Sequence, residues 1–291
     1  MLENANTHPH DAPHLARLRE IAHTHRMLFI AGLPGVGKSL LLRELAESAH
    51  ADGRAVYLLQ WDVARCPICS PTLLARYPET NGITHAVLRK AAGLWARDAV
   101  AAWAAEHADD GALLAGETPL VGHRFVELAR PAADAAEPAL SSGSTRFLVP
   151  VPTVEVRRAI EAARAATTER PRHEREQNDA IPGVLRILWA ELFVAAAQVA
   201  AERGDPPPVD IGYDPETYKA VYSRALRVRH WEPLRVETAL PPQDRSVYDV
   251  QAPAQDLAPS EAEAEAYVAR VEREYPDLAV LQRETETWWR A

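Results

Sequence analysis

Residues 32–39 read Gly32-Leu33-Pro34-Gly35-Val36-Gly37-Lys38-Ser39, a complete GxxxxGK[ST] pattern. Its neighbours arrive in the order that such a loop needs. Before it, the apolar run 27–31 suits a buried strand, and after it residues 40–49 place Leu41, Leu42, Leu45 and Ala49 at helical spacing. Glycines at 32, 35 and 37 free the backbone to aim successive N–H groups at phosphate oxygens, and the helix N-terminus adds a favourable potential for an anion. Lys38 is placed to reach the β and γ phosphates, Ser39 to complete the coordination of a magnesium ion, and Leu40 to open the helix beside them. The stretch from Gly32 to Leu40, with Leu33, Pro34 and Val36 between the glycines, is therefore the expected nucleoside-triphosphate site, and Ser39 its expected metal ligand.

The rest of the 291-residue chain is read outward from this loop. Residues 54–60 form a second expected strand that runs into Gln60-Trp61-Asp62, so an acid stands where a parallel strand meets its loop. Residues 84–107 form a long amphipathic helix, and 111–115 a third strand that ends in Gly116-Glu117 and leads to His123 and Arg124. The stretch 131–145, rich in Ala, Pro, Ser and Gly, reads as a flexible connection. A fourth strand follows at 146–151, then a helix over 153–167 with Arg157, Arg158 and Arg164. Arg170, Arg172 and Arg175 lie among acids in the next stretch. A second long helix covers 184–202, and Pro206-Pro207-Pro208 marks a boundary near 205. Beyond it come a helix at 216–226, a fifth strand at 234–238, an extra strand at 246–250, and terminal helices at 261–274 and 277–290.

Composition narrows the partners. A formal net charge of −9 argues against long-range attraction to nucleic-acid phosphates. The N-terminus has no apolar signal core, and the apolar segment 184–201 carries Arg186 and Glu191, so a cytoplasmic protein without a membrane partner is expected. The two cysteines, Cys66 and Cys69, have CxxC spacing. They read either as reduced thiols beside a cleft or as a redox pair, and a second pair of metal ligands is missing nearby. His8, His10 and His14 fall in a Pro-interrupted segment that reads as a mobile tail.

The β–loop–α start, the acid after the second strand and the arginine-rich helical segment after the fourth resemble the P-loop kinase superfamily, including adenylylsulfate kinase, chloramphenicol phosphotransferase and the zeta toxins. The resemblance implies an α/β, three-layer parallel-sheet P-loop NTPase with strand order 2-3-1-4-5, a helical lid and a helical C-terminal extension. In residues it implies an N-terminal tail and helix over 1–25, a kinase-like core over 26–204 with its lid at about 153–182, and an extension over 205–291 that completes the sheet. It also implies that Asp62 is the general base for the acceptor hydroxyl and that Arg65, three residues on, grips an anionic group of the substrate. Glu117 takes the position of an acid in the magnesium water shell, although many relatives carry Asp there. His123 and Arg124 would line the acceptor pocket, and Arg157, Arg164, Arg170 and Arg172 would belong to a lid that closes over the triphosphate.

Each role has a plainer counterpart: a loop-capping Asp62, a structural salt bridge for Glu117, and arginines laced to Glu161, Glu169, Glu174 and Glu176 on a solvated surface. The leading expectation is a Mg2+-dependent transfer of the γ-phosphate of ATP to a hydroxyl of a small molecule or nucleotide. A regulatory NTPase that acts through a protein partner is the alternative, and a zeta-toxin-like or polynucleotide kinase is a third reading. ATP is the default nucleotide because no guanine-selecting NKxD motif is present. Oligomeric state is left open.

Overall fold

In the computed structural model the described residues are 12–169, 171, 173–174, 176, 182–210, 212–240 and 245–290. They form helix α1 (Pro13–Thr24), strand β1 (Met27–Ala31), α2 (Lys38–Ala51), β2 (Val56–Leu59), α3 (Trp61–Ile68), α4 (Pro71–Arg76) and α5 (Ala86–Glu106). Strand β3 (Leu113–Thr118), two single-turn helices α6 (Val126–Ala129) and α7 (Glu137–Leu140), β4 (Thr145–Pro152), α8 (Val154–Glu169) and α9 (Pro182–Arg203) follow. The C-terminal part adds α10 (Pro215–Ala225), β5 (Trp231–Val236), β6 (Ala254–Asp256), α11 (Glu261–Glu274) and α12 (Leu278–Glu286).

The six strands make one parallel sheet in the order β5-β4-β1-β3-β2-β6. This is an α/β three-layer sandwich of the P-loop NTPase kind. The order 2-3-1-4-5 lies inside it, with β6 added at the β2 end. The central strand β1 is buried along its whole length, as its unbroken apolar run requires when helices cover both faces. Alternate side chains divide between two cores. Leu28 and Ile30 pack with Leu41, Leu45 and the α1 residues Leu15 and Leu18 on one face, and Phe29 packs with Phe147 and residues of α5, α9, α10 and α11 on the other. Gly116 on β3 permits this packing, because a Cβ there would stand 2.7 Å from the Phe29 ring.

Several expectations change. The stretch 246–250 is a turn, closed by Ser246 N donating to Asp249 Oδ2 at 2.9 Å, and the strand comes slightly later, at β6. The fifth strand begins at Trp231, three residues earlier than its apolar pattern suggests. Residues 61–68, unassigned in the sequence, are helical, and Gln60 at the N-cap donates to Asp256 of β6 at 2.8 Å. The stretch 131–145 is fixed in place: Arg97 and Arg229 converge on Glu137, with Arg229 Nη1 2.6 Å from Glu137 Oε1, and Arg97 also engages Asp134. Its composition reads as flexible because the two arginines that hold it lie far away in sequence.

Among the described residues one helical stretch, Gly183–Arg203, is long and apolar enough to span a bilayer. Leu188, Leu192, Ala195 and Val199 of that helix belong to the core. Trp288 and Trp289 are 2% and 1% exposed, so they pack inward.

Candidate active site

The octapeptide folds as its glycines require, but the three glycines have two different reasons. Gly35 and Gly37 take φ of +81° and +88°, a region that side chains resist, and Gly37 is the left-handed cap from which α2 springs. Gly32 is needed for space: a Cβ there would lie 2.5 Å from the Tyr218 hydroxyl and 2.9 Å from Val36 Cγ2. Tyr218 comes from α10 and is fully buried against the base of the loop. Lys38, 8% exposed, donates from Nζ to the Leu33 carbonyl at 3.1 Å, inside the loop's own curve. Burial lowers its pKa, the Glu117 and Asp62 carboxylates oppose that shift, and Arg164 and Arg124 add to it. The loop lysine, both predicted acids and two predicted arginines thus share one electrostatic neighbourhood.

These groups line a single cavity of about 970 Å3. Residues 34–41 form its floor, Glu117 enters from the C-terminal end of β3, and Trp61, Asp62, Arg65 and Arg124 form one wall. In register, Glu117 lies beside Ile30, so the acid sits next to the strand that feeds the loop. Asp62 occupies the first turn of α3, and its Oδ1 is 3.8 Å from Arg65 Nε. Arg65 is held by partners that the sequence did not flag: its Nη1 donates to Thr84 Oγ1 at 3.1 Å and lies 3.3 Å from Glu79 Oε1, while Thr84 Oγ1 donates to Glu79 at 2.8 Å. Arg124, 8% exposed, donates to the Val121 carbonyl at 3.2 Å and sits 6.0 Å from the Trp61 ring centre. Burial lowers its pKa against the pull of Glu191 and Asp62. Arg89, behind it on α5, is lowered to about 10 by burial and by Arg124, while burial raises Glu191 of α9 against both arginines. Arg89 and Glu191 look like ordinary helix-surface charges in sequence, and only the tertiary fold gathers them with Arg124 around Gly122.

The roof is α8. Val156, Ala159, Ile160, Ala163 and Arg164 face the cavity at helical spacing, and Ile160 Cδ1 would stand 3.8 Å from a Cβ on Gly37. Arg157 belongs to the same helix and lies against the loop without lining the cavity. Its guanidinium lies 4.4 Å from the Tyr213 ring centre, its Nε donates to Glu161 at 2.7 Å, and its Nη2 would stand 4.0 Å from a Cβ on Gly35. Of the two arginines seven apart, only Arg164 lines the cavity. Arg170, Arg172 and Arg175 lie outside the described residues. His14, expected in a tail, is 4% exposed on α1 and lines the cavity; His8 and His10 lie outside the described residues.

His123 is placed away from the cavity. It is fully buried, with Nε2 2.7 Å from Glu127 Oε1, and Lys90 Nζ lies 3.1 Å from the same oxygen and 2.6 Å from Glu284 Oε1. His123, Glu127 and Glu284 bring ligand atoms within 4.8 Å of one another, but the Lys90 ammonium already supplies the cation between them. Gly93 makes room for this network, since a Cβ there would fall 1.7 Å from Glu127 Oε2. The positive φ of His123, 58°, turns its side chain into the interior, and nothing in the residue pattern announces such a turn.

Part of the chain is similar to known proteins. The adenylyl-sulfate kinase of Shigella boydii serotype 18 is 38% identical over 71 residues, which is 24% of this chain and 35% of that protein. The adenylyl-sulfate kinase of Escherichia coli O139:H28 matches with the same identity and coverage. The likeness is to the P-loop kinases. The chain spans about a third of the length of the curated relatives it matches. No family model matches it, and no solved structure does.

A P-loop kinase works on a nucleotide with a magnesium ion, and the donor set can be tested against both. The left-handed Gly35 and Gly37 and the N-terminus of α2 form an anion cradle, and Lys38 is a cation at its centre. Ser39 and Glu117 offer hard oxygen donors at the same cavity, the ligand type that magnesium takes. The residues fit both groups.

Proposed function

We propose that the chain is a magnesium-dependent phosphotransferase that moves the γ-phosphoryl group of ATP to a hydroxyl of a small molecule or nucleotide. One observation carries the reading: the phosphate loop shares its cavity with a second, separately built wall of Asp62, Arg65, Trp61 and Arg124. At about 970 Å3 the cavity lies at the upper end of the 300–1,000 Å3 usual for a single ligand site, which suits two substrates side by side.

In this reading the loop N–H groups and Lys38 hold the β and γ phosphates, and Ser39 and Glu117 hold the metal with its waters. The metal, when bound, neutralises charge on the phosphoryl oxygens. Val236, Thr238, Leu240, Ser246 and Tyr248 line the same cavity and receive the nucleoside. Asp62 orients the acceptor hydroxyl and takes its proton, and Arg65 and Arg124 fix an anionic part of the acceptor. Arg164 on α8 approaches the transferring phosphoryl group from above. Adenylyl sulfate, the compound in the relatives' name, is the first acceptor to try.

The test is ADP release from ATP and magnesium, alone and with a panel of adenylyl sulfate, nucleosides, sugars and aminoglycosides, with Lys38→Ala as control. The reading expects stimulation by one compound class and a loss on the order of a hundredfold or more in the variant. Turnover unchanged by Lys38→Ala would sink the phosphate-loop assignment. Steady acceptor-independent release, lost in the variant, would favour a regulatory NTPase.

A further inference from the structure

The helix that presents Asp62 and Arg65 also carries both cysteines of the chain. Cys66 is exposed, Cys69 is half-buried at the C-cap, and both are free thiols. The Cys69 N–H donates to the Arg65 carbonyl at 2.7 Å, so the backbone stays helical between the two cysteines. Residues three apart on a helix have Cα atoms about 5 Å apart, inside the range a disulfide spans.

Both cysteines lie within one helical turn of the acceptor wall. Cys66 Sγ donates to the Asp62 carbonyl at 3.1 Å, and Cys69 closes the turn that begins at Arg65, the residue whose guanidinium Thr84 holds. To meet Cys69, Cys66 must turn away from the Asp62 carbonyl. That movement acts on the helical turn that carries Asp62 and Arg65.

We propose that Cys66 and Cys69 form a reversible dithiol–disulfide pair that loosens the Thr84–Arg65 support of the acceptor wall when it closes and leaves the phosphate loop untouched. The proposal rests on the acceptor-side reading of Asp62 and Arg65. The oxidant is a low-molecular-weight disulfide such as glutathione disulfide. The exposed Cys66 thiolate attacks one glutathione sulfur and releases glutathione thiolate. The Cys69 thiolate then attacks Cys66 Sγ and releases the second, and the two protons lost by the cysteines end on the two glutathiones.

The experiment equilibrates the full chain in glutathione redox buffers and reads intact mass after acid quenching, hydrogen exchange by peptide, and affinity for Mg–ADP. The expected result is one intramolecular disulfide, with the loss of two hydrogens. Exchange over 61–85 should become faster by on the order of tenfold, with exchange over 32–45 and nucleotide affinity held within roughly twofold. Cys66→Ser and Cys69→Ser should each abolish the exchange response. Only a mixed disulfide with glutathione, no disulfide at all, or a disulfide that leaves exchange over 61–85 unchanged would each overturn the proposal. Failure to bind nucleotide in either redox state would instead count against the kinase reading, because the mass and exchange results do not depend on it.

Discussion

Replacing Gly32 by alanine should weaken nucleotide binding through a collision that can be named atom by atom. The added Cβ would lie 2.5 Å from the Tyr218 hydroxyl and 2.9 Å from Val36 Cγ2. Val36 can rotate, but Tyr218 cannot swing away: it is fully buried, with Tyr222 and Tyr213 ring centres 4.8 Å and 5.7 Å from its own. The loop must therefore shift. Forcing an extra methyl into a packed site costs about 1–3 kcal/mol. If that cost falls on the binding-competent loop, the Mg–ADP dissociation constant rises roughly fivefold to 150-fold, at about 1.4 kcal/mol per tenfold.

Tyr218→Phe removes the colliding oxygen, so the double variant should recover most of the lost affinity, and the two changes should be strongly non-additive. Calorimetric titration of the parent, both single variants and the double variant measures the coupling, and melting temperatures show that all four remain folded. Gly32→Ala binding like the parent, or a double variant no tighter than Gly32→Ala alone, would refute the reasoning.

Two further outcomes follow from the same geometry. Asp62→Asn, in the first turn of α3, should keep Mg–ADP affinity within about twofold while acceptor-dependent transfer falls by on the order of 10² to 10⁴; lost nucleotide affinity with normal transfer would count against a base at this position. Glu127 is held below its ordinary 4.5, to about 2, by His123 and Lys90 against the opposing effect of burial. The carboxylate therefore adds stability above pH 4.5 that is lost as pH falls towards 2, and Glu127→Gln should flatten the acid limb of urea midpoints measured between about pH 3 and pH 6. An acid limb identical in parent and variant would show that the network does not act this way.

Much of the fold was legible because parallel strands buried on both faces must be apolar throughout. The runs at 27–31, 111–115 and 146–151 announced β1, β3 and β4, and the phosphate loop set the direction of chain entry into α2. The C-terminal part was harder to read. Strand β6 has all three residues exposed, so no apolar run marks it. It is a strand because β2 offers an open edge, with Val56 opposite Ala254. Similarly, Pro71 and the short spacing hid α4, while Ser70 at its N-cap was a signal that could have found it.

The site divides in the same way. The octapeptide alone specified an anion cradle, because its chemistry is backbone geometry that local residues dictate. The strand runs at 54–60 and 111–115 placed Asp62 and Glu117 at strand ends, where ligands gather in such sheets. Which distant side chains join them was decided only in three dimensions. Thr84 and Glu79 support Arg65, Arg89 and Glu191 back Arg124, Tyr218 presses on Gly32, and His14 joins the cavity lining. His123 turns into the interior, and Arg157 stacks on Tyr213 beside Gly35 of the loop. These choices depend on which helix faces pack together across the sheet, and local sequence pattern, read over a few turns at a time, carries no record of a partner a hundred residues away.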